Sequence, residues 1–216
     1  MQGWCKVVPS LWGQDRFTTT ETKEVMVVKK LIVLLAATAM CVSAGGVAHA
    51  GTGTSDVHRF ADGSVVPDGW SKVVTNDAGA SMTLHTTELP AGDVVTVWWV
   101  VFNAPQNCTH GEGPYRCGPG DLPPFGGDGS AEPSFLYATG HVIAGSGTAN
   151  FGGHLSVGDT SGALFGPGLV NPLGADIHLV VRDSGPVDPA IVAAQIHSYG
   201  VCNLVCANVQ FSVHEQ

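Results

Sequence analysis

Basic residues are scarce along most of this chain. Nine Lys and Arg occur in 216 residues, and five of them, Lys6, Arg16, Lys23, Lys29 and Lys30, fall within the first thirty positions. Beyond Ala50, four basic residues face fifteen acidic ones, a formal charge of −11. Affinity for phosphate backbones and anionic lipid is carried mainly by Lys and Arg, so nucleic acid and membrane surfaces are not expected partners. The chain also lacks a G-x-S-x-G pentad, the strained strand-to-helix turn that presents a serine nucleophile. It has no internal repeat. With 29 glycines it is too glycine-rich for a helical bundle.

The start of the chain reads as a targeting segment. Met26 to Lys30 form a short basic region, Leu31 to Val42 an apolar core of twelve residues, and Ala48-His49-Ala50 a small-x-small cleavage site. Residues 26–50 are therefore expected to be a signal peptide, and the mature chain to begin at Gly51. The eighteen uncharged positions from Leu31 to Ala48 fall short of the ~20 needed to span a bilayer, and Gly45-Gly46 interrupt them. No membrane insertion is expected after cleavage. Residues 1–25 precede a signal that has its own methionine and read as an upstream extension from an early start. The expected location is secreted, extracellular or periplasmic.

Residues 51–216 have the length of one domain. Four cysteines remain, and an even count in an exported chain reads as disulfides. Cys108 with Cys117 and Cys202 with Cys206 each bracket a short loop, and these local pairings are expected. A four-thiolate zinc site is the competing reading, but eight residues separate the first pair where zinc knuckles use tighter spacing.

Runs of Val, Thr, Phe and Trp punctuated by Gly, Pro, Asp and Asn predict an all-β antiparallel sandwich, with strands at 70–75, 80–88, 93–103, 134–144, 149–157, 175–182 and 206–214. The run DVVTVWWVVFN, 93–103, is apolar on both parities and predicts a strand covered on both faces. Trp98 and Trp99, adjacent on it, must point to opposite sides. Both can be core, or one can stack on a carbohydrate or an apolar ligand. The run ANVQFSVHE, 207–215, alternates, which predicts Val209, Phe211 and Val213 inward and Asn208, Gln210, Ser212 and His214 toward solvent. Asp188, Pro189 and Gly200 frame one short helix at 189–198 with Ile191 buried. Six prolines and seven glycines make 104–133 a long irregular loop stapled by Cys108–Cys117.

At VWWVVFNAPQNC (97–108), RCGPGDL (116–122), ADIHLVVRDSGPV (175–187) and CANVQFSVHE (206–215) the chain resembles a family of bacterial secreted proteins that carries no assigned activity. It is also similar to chordin-type (CHRD) domains, exported β domains with an isoleucine-histidine strand before a Gly-Pro-Val turn. Here these are Ile177-His178 and Gly185-Pro186-Val187, with Leu179 where that pattern has glycine. Neither resemblance implies catalytic residues.

Candidate chemistry is sparse. Asp121 to Glu132 copies the length of an EF-hand loop, but Pro123 and Phe125 occupy positions that need oxygen ligands. Asn107-Cys108-Thr109 fits a glycosylation sequon whose cysteine is assigned to a disulfide. Ser, His and Asp could assemble in space as a triad, though nothing in their spacing selects one. Histidines are numerous. A two-residue turn at Ser146-Gly147 would pair strands 134–144 and 149–157 as a hairpin, placing His141 and His154 on one face as diagonal neighbours. With His178 as third donor, or His85 behind it, such a pair could hold copper or zinc. His178 also shares strand parity with Asp176 and Arg182. That face is either a polar patch over a binding site or the wet side of an edge strand. The leading expectation is a secreted, non-enzymatic β-sandwich module with an interaction or cell-envelope role and a protein or glycan partner. The alternative is a copper- or zinc-binding protein using the strand histidines.

Overall fold

A computed structural model describes residues 50–216. The expected upstream extension and all but the last residue of the expected signal peptide lie outside the described residues. Nine antiparallel strands form the domain: β1 (Ala50–Arg59), β2 (Val65–Asn76), β3 (Gly79–Thr86), β4 (Asp93–Phe102), β5 (Pro133–Val142), β6 (Ala149–Ser156), β7 (Ala163–Phe165), β8 (Asp176–Pro186) and β9 (Ala207–His214). One helix, α1 (Val192–His197), completes it.

The order of pairing is β6-β3-β2-β1-β9-β8-β4-β5-β7. β1 pairs along most of its length with β2 but meets β9 only at His58 and Arg59, after an irregularity between Asp56 and His58. The two layers of the expected sandwich are thus halves of one curled sheet, joined at that corner. The fold is all-β, as the punctuation of the sequence predicts.

The main core lies between the layers. Val73, Met82 and Leu84 from one half meet Val97, Trp99, Leu136 and Leu179 from the other, all almost fully buried. Each such aliphatic side chain contributes ~1.5–3 kcal/mol by leaving water. A second core covers the opposite face of the β8-β4-β5 half, where Trp98, Phe102, Phe135 and Val180 pack with Cys117 and Leu122 of the long loop. β4 is therefore buried along its whole length. Both tryptophans are core: Trp99 in the inner layer, and Trp98 in the outer one, stacked 5.6 Å from Phe135 with its indole N–H donating to Thr96 Oγ1 at 2.8 Å.

Three expectations are overturned. β5 and β6 do not form a hairpin. Gly147, at φ +66°, does turn the chain, and its carbonyl accepts from the Leu89 amide at 3.0 Å. The strands on either side then diverge, β5 to β4 and β6 to β3. β9 keeps the expected facing at Asn208 and Val209, the latter packed on the inner core, but reverses it beyond the irregularity opposite Val181 and Arg182: Gln210, Ser212 and His214 are buried opposite Val181, Leu179 and Ile177, so Phe211 and Val213 point outward. The outer face of β8 is not a wet edge either, because β8 runs between β9 and β4.

The helix is shorter than expected and leaves Ile191 only half-buried. It is fixed by Gln195, whose Nε2 donates to the carbonyls of Ser184 and Pro186 and whose Oε1 accepts from the Asp188 amide. Asp188 Oδ1 accepts from the Ala190 amide at 2.9 Å, an Asx turn ahead of the helix, whose own N-cap position is Ile191, without a side-chain cap.

Candidate functional site

Because β9 turns Phe211 and Val213 outward, the outer face of the β9-β8-β4-β5 half is a continuous apolar floor. Val100, Phe102, Phe135, His178 and Val180 extend it. The loop between β4 and β5 arches over this floor, contributing Pro114, Tyr115, Pro119, Leu122 and Phe125. Between floor and roof lies a groove of about 880 Å³. One end is bounded by His58 and Phe60 and the other by Leu164 and Phe165. Five inter-strand steps from β1 to β7, at ~4.8 Å each, make it on the order of 20 Å long. The rim exposes apolar surface: Phe60 is 39%, Leu164 51% and Phe125 66% accessible.

The roof is irregular but heavily bonded. The Cys108–Cys117 bridge closes its first part. Asp121, nearly buried, accepts from the amides of Thr109, His110 and Gly118 at 2.7–3.0 Å. Burial alone raises this carboxyl, but the three amides and His110 outweigh it and hold it below the usual carboxylate range. Three short 3-10 turns, at Pro105–Asn107, Pro119–Asp121 and Pro123–Phe125, give the segment local order. At its base, Arg116 makes a two-armed ion pair with the fully buried Asp176, through Nε at 3.0 Å and Nη2 at 2.9 Å. Asp176 also accepts from the Gln216 amide. These contacts tie the roof to β8 and to the end of the chain.

His178 is the polar feature of the floor. Its ring lies 5.1 Å from that of Phe102, edge to face, and its Nε2 is sealed from solvent without a hydrogen-bond partner. Burial, with a lesser contribution from His214, lowers its pKa to about 3, so the imidazole is neutral at physiological pH. Its parity mates behave as expected in direction: Asp176 and Arg182 project from the same face, Asp176 into the Arg116 pair and Arg182 beneath the Tyr199 ring at 3.9 Å.

The expected metal histidines are not brought together. His141 pairs with Val95, faces the inner layer and stacks on Phe151 at 4.5 Å. His154, opposite Ser81 on the outer face of β3 and β6, shares a hydrogen bond of 2.9 Å with Ser81 Oγ. The missing hairpin is the reason, since the diagonal placement required β5 and β6 to be partners. His178 faces the groove on the other half of the sheet, and His85 Nδ1 donates to Asn150 at 2.7 Å. Among the described residues, the cluster with the spacing of a metal site is Cys108, Cys117 and Asp121. Its two sulfurs are bonded to each other and offer no thiolate.

A serine-histidine pair does exist inside the molecule, Ser71 Oγ to His214 Nε2 at 2.8 Å. Both residues are buried, His214 Nδ1 has no partner, and neither residue lines the groove. The pair is a polar contact between β2 and β9, and Gly53 of β1 lies against it: a Cβ there would sit 3.3 Å from His214 Nδ1, a tight contact.

Of the groove residues, the sequence draws attention to His178 and Cys117, each for another role, although a signal for the rest is present. β4 is apolar on its outward parity, at Trp98, Val100 and Phe102, which requires a cover on that face. No family model matches the chain, and neither curated proteins nor solved structures yield a match.

Proposed function

We propose that the protein is an exported, non-catalytic binding module whose aromatic groove takes an apolar small molecule. The observation that carries this reading is the groove itself. Its volume lies in the ~300–1,000 Å³ range of ligand pockets, and its walls are apolar with few polar groups. Cys117 in its lining is disulfide-bonded and offers no thiolate nucleophile. Export is supported by the leader-like segment and by two disulfides, Cys108–Cys117 and Cys202–Cys206, which persist in oxidising compartments. Among the described residues no helix is long and apolar enough to cross a membrane.

Titration with an uncharged environment-sensitive dye, N-phenyl-1-naphthylamine, tests the reading. One saturable site is expected in the wild type. Val213→Trp, which fills the floor, should abolish it, and Phe125→Ala at the exposed rim should weaken it with the fold intact. Absence of saturable binding, or equal binding by Val213→Trp, would overturn the proposal.

A further inference from the structure

The two ends of the groove differ in charge and in the rings they present, and on the reading that it is a ligand site this difference selects a ligand class. At the β1 end, three rings cluster around Phe211: His58 stacks on it at 5.5 Å, Phe60 meets it edge-on at 5.2 Å and Tyr115 at 6.0 Å. His58 is fixed by a 3.0 Å bond from Nδ1 to the Gly63 carbonyl. Carboxylates lie beside this cluster: Asp56 two residues before His58 on β1, and Glu215, whose Oε1 accepts from the amide of Arg116 next to Tyr115 at 2.6 Å. Glu112 lines the groove one turn before Tyr115, whose amide donates to the Glu112 carbonyl. Asp56 and Glu215 both act on the Tyr115 phenol, which is raised first by burial and then by these two charges. At the opposite end, Leu164, Phe165 and Phe135 are wholly apolar.

The four basic residues of the described chain leave this acidity unbalanced. Arg59 is paired with Glu88, and Arg116 with Asp176. Lys72 lies on β2, outside the groove lining. Arg182 is buried behind Tyr199, its Nε donating to the Tyr199 carbonyl and its Nη1 to Asn208. A cation over aromatic faces gains ~0.5–2 kcal/mol from the ring quadrupoles. Nearby carboxylates add Coulomb attraction that salt screens.

We infer that the ligand is a cationic amphiphile, with an ammonium-type head at the Tyr115–His58–Phe60 end and an apolar chain running across the floor toward Phe165. The elongated groove suits a chain, and the charge complementarity excludes the fatty-acid type of head.

Three probes with one decyl chain test this by calorimetry at micromolar, monomeric concentrations: decyltrimethylammonium, an uncharged decyl glycol ether and decanoate. The cation is expected to bind about tenfold or more tighter than the anion in ~10 mM salt, with the neutral probe between them. At ~1 M salt, where the Debye length is ~3 Å, the spread should contract to about threefold or less. Glu112→Gln combined with Asp56→Asn should lower the cation-to-anion ratio at low salt. Equal affinities, a preference for decanoate, or a ratio untouched by the double variant would overturn the inference and leave the groove as an apolar site. Failure of all three probes to bind would instead overturn the groove reading on which it rests.

Discussion

Replacing Arg116 with alanine strips the buried Asp176 carboxylate of both guanidinium hydrogen bonds and leaves it the Gln216 amide. Breaking one partner of a buried ion pair costs ~3–5 kcal/mol. Arg116 is 39% exposed, so solvent already screens part of the pair, and a loss of about 2–3 kcal/mol is expected. For a domain of this size that is a fall in Tm of about 5–10 °C. The loss should depend on pH in a defined sense. Burial pushes the Asp176 carboxyl above its usual range even with Arg116 in place, and the Gln216 amide and Arg116 only partly offset that. A carboxyl raised on folding binds its proton more tightly in the native state, so stability falls as pH rises from the unfolded value of ~3.9 through the native one. Without Arg116 the native value rises further and that fall is larger. The deficit of Arg116→Ala against wild type should therefore be greatest near pH 7 and shrink toward pH 4. The double variant Arg116→Ala/Asp176→Asn should recover part of it. Urea unfolding of the four proteins of this cycle at several pH values measures both effects. An Arg116→Ala variant as stable as wild type at pH 7, or a deficit of constant size across pH, would refute the reasoning.

Alkylation under denaturing, non-reducing conditions should label none of Cys108, Cys117, Cys202 and Cys206, and near-complete labelling of any one would contradict the two bridges. Cys108→Ser/Cys117→Ser should cost about 2–3 kcal/mol from the entropy of its short closed loop and speed proteolysis within 104–133; an unchanged unfolding midpoint and digestion pattern would contradict that. Zinc or copper titrated into wild type and into His141→Ala/His154→Ala should bind alike, since these side chains lie on different faces, and a stoichiometric site lost in the double variant would overturn that placement. Protein recovered from culture medium should begin at Gly51, and intact chain retained in membranes would contradict export.

What the sequence makes legible is mostly where one layer dictates the pattern. β4 reads correctly because its apolar residues occupy both parities, and the two cysteine pairs because each spans a short loop. β9 misleads because its alternation is real but the assumption of a single apolar layer is not. Val213 and Phe211 serve the outer groove, while Gln210 is buried through bonds to Thr86 and the Thr87 carbonyl. Those partners are more than 120 residues away in the chain, and no local pattern announces them. β1 looks like a loop because glycine and small polar residues fill it, yet Gly53 packs closely on the buried His214. The turn at Gly147 is legible as a turn, but the partner of each flanking strand is settled by the rest of the sheet. The histidine site built on that turn fails for the same reason. The groove escapes notice because half of it is the Pro- and Gly-rich segment, whose order comes from Asp121, Arg116 and a disulfide rather than from a repeating pattern.

Solution NMR of the protein with N-phenyl-1-naphthylamine gives the most direct test of the groove as a binding site. Intermolecular contacts should reach the methyl groups of Val100, Val180 and Val213, with shifts in the His178 and Phe135 rings. Contacts confined to the exposed face around Trp70 and Val74, or none at a saturating dye concentration, would contradict the account.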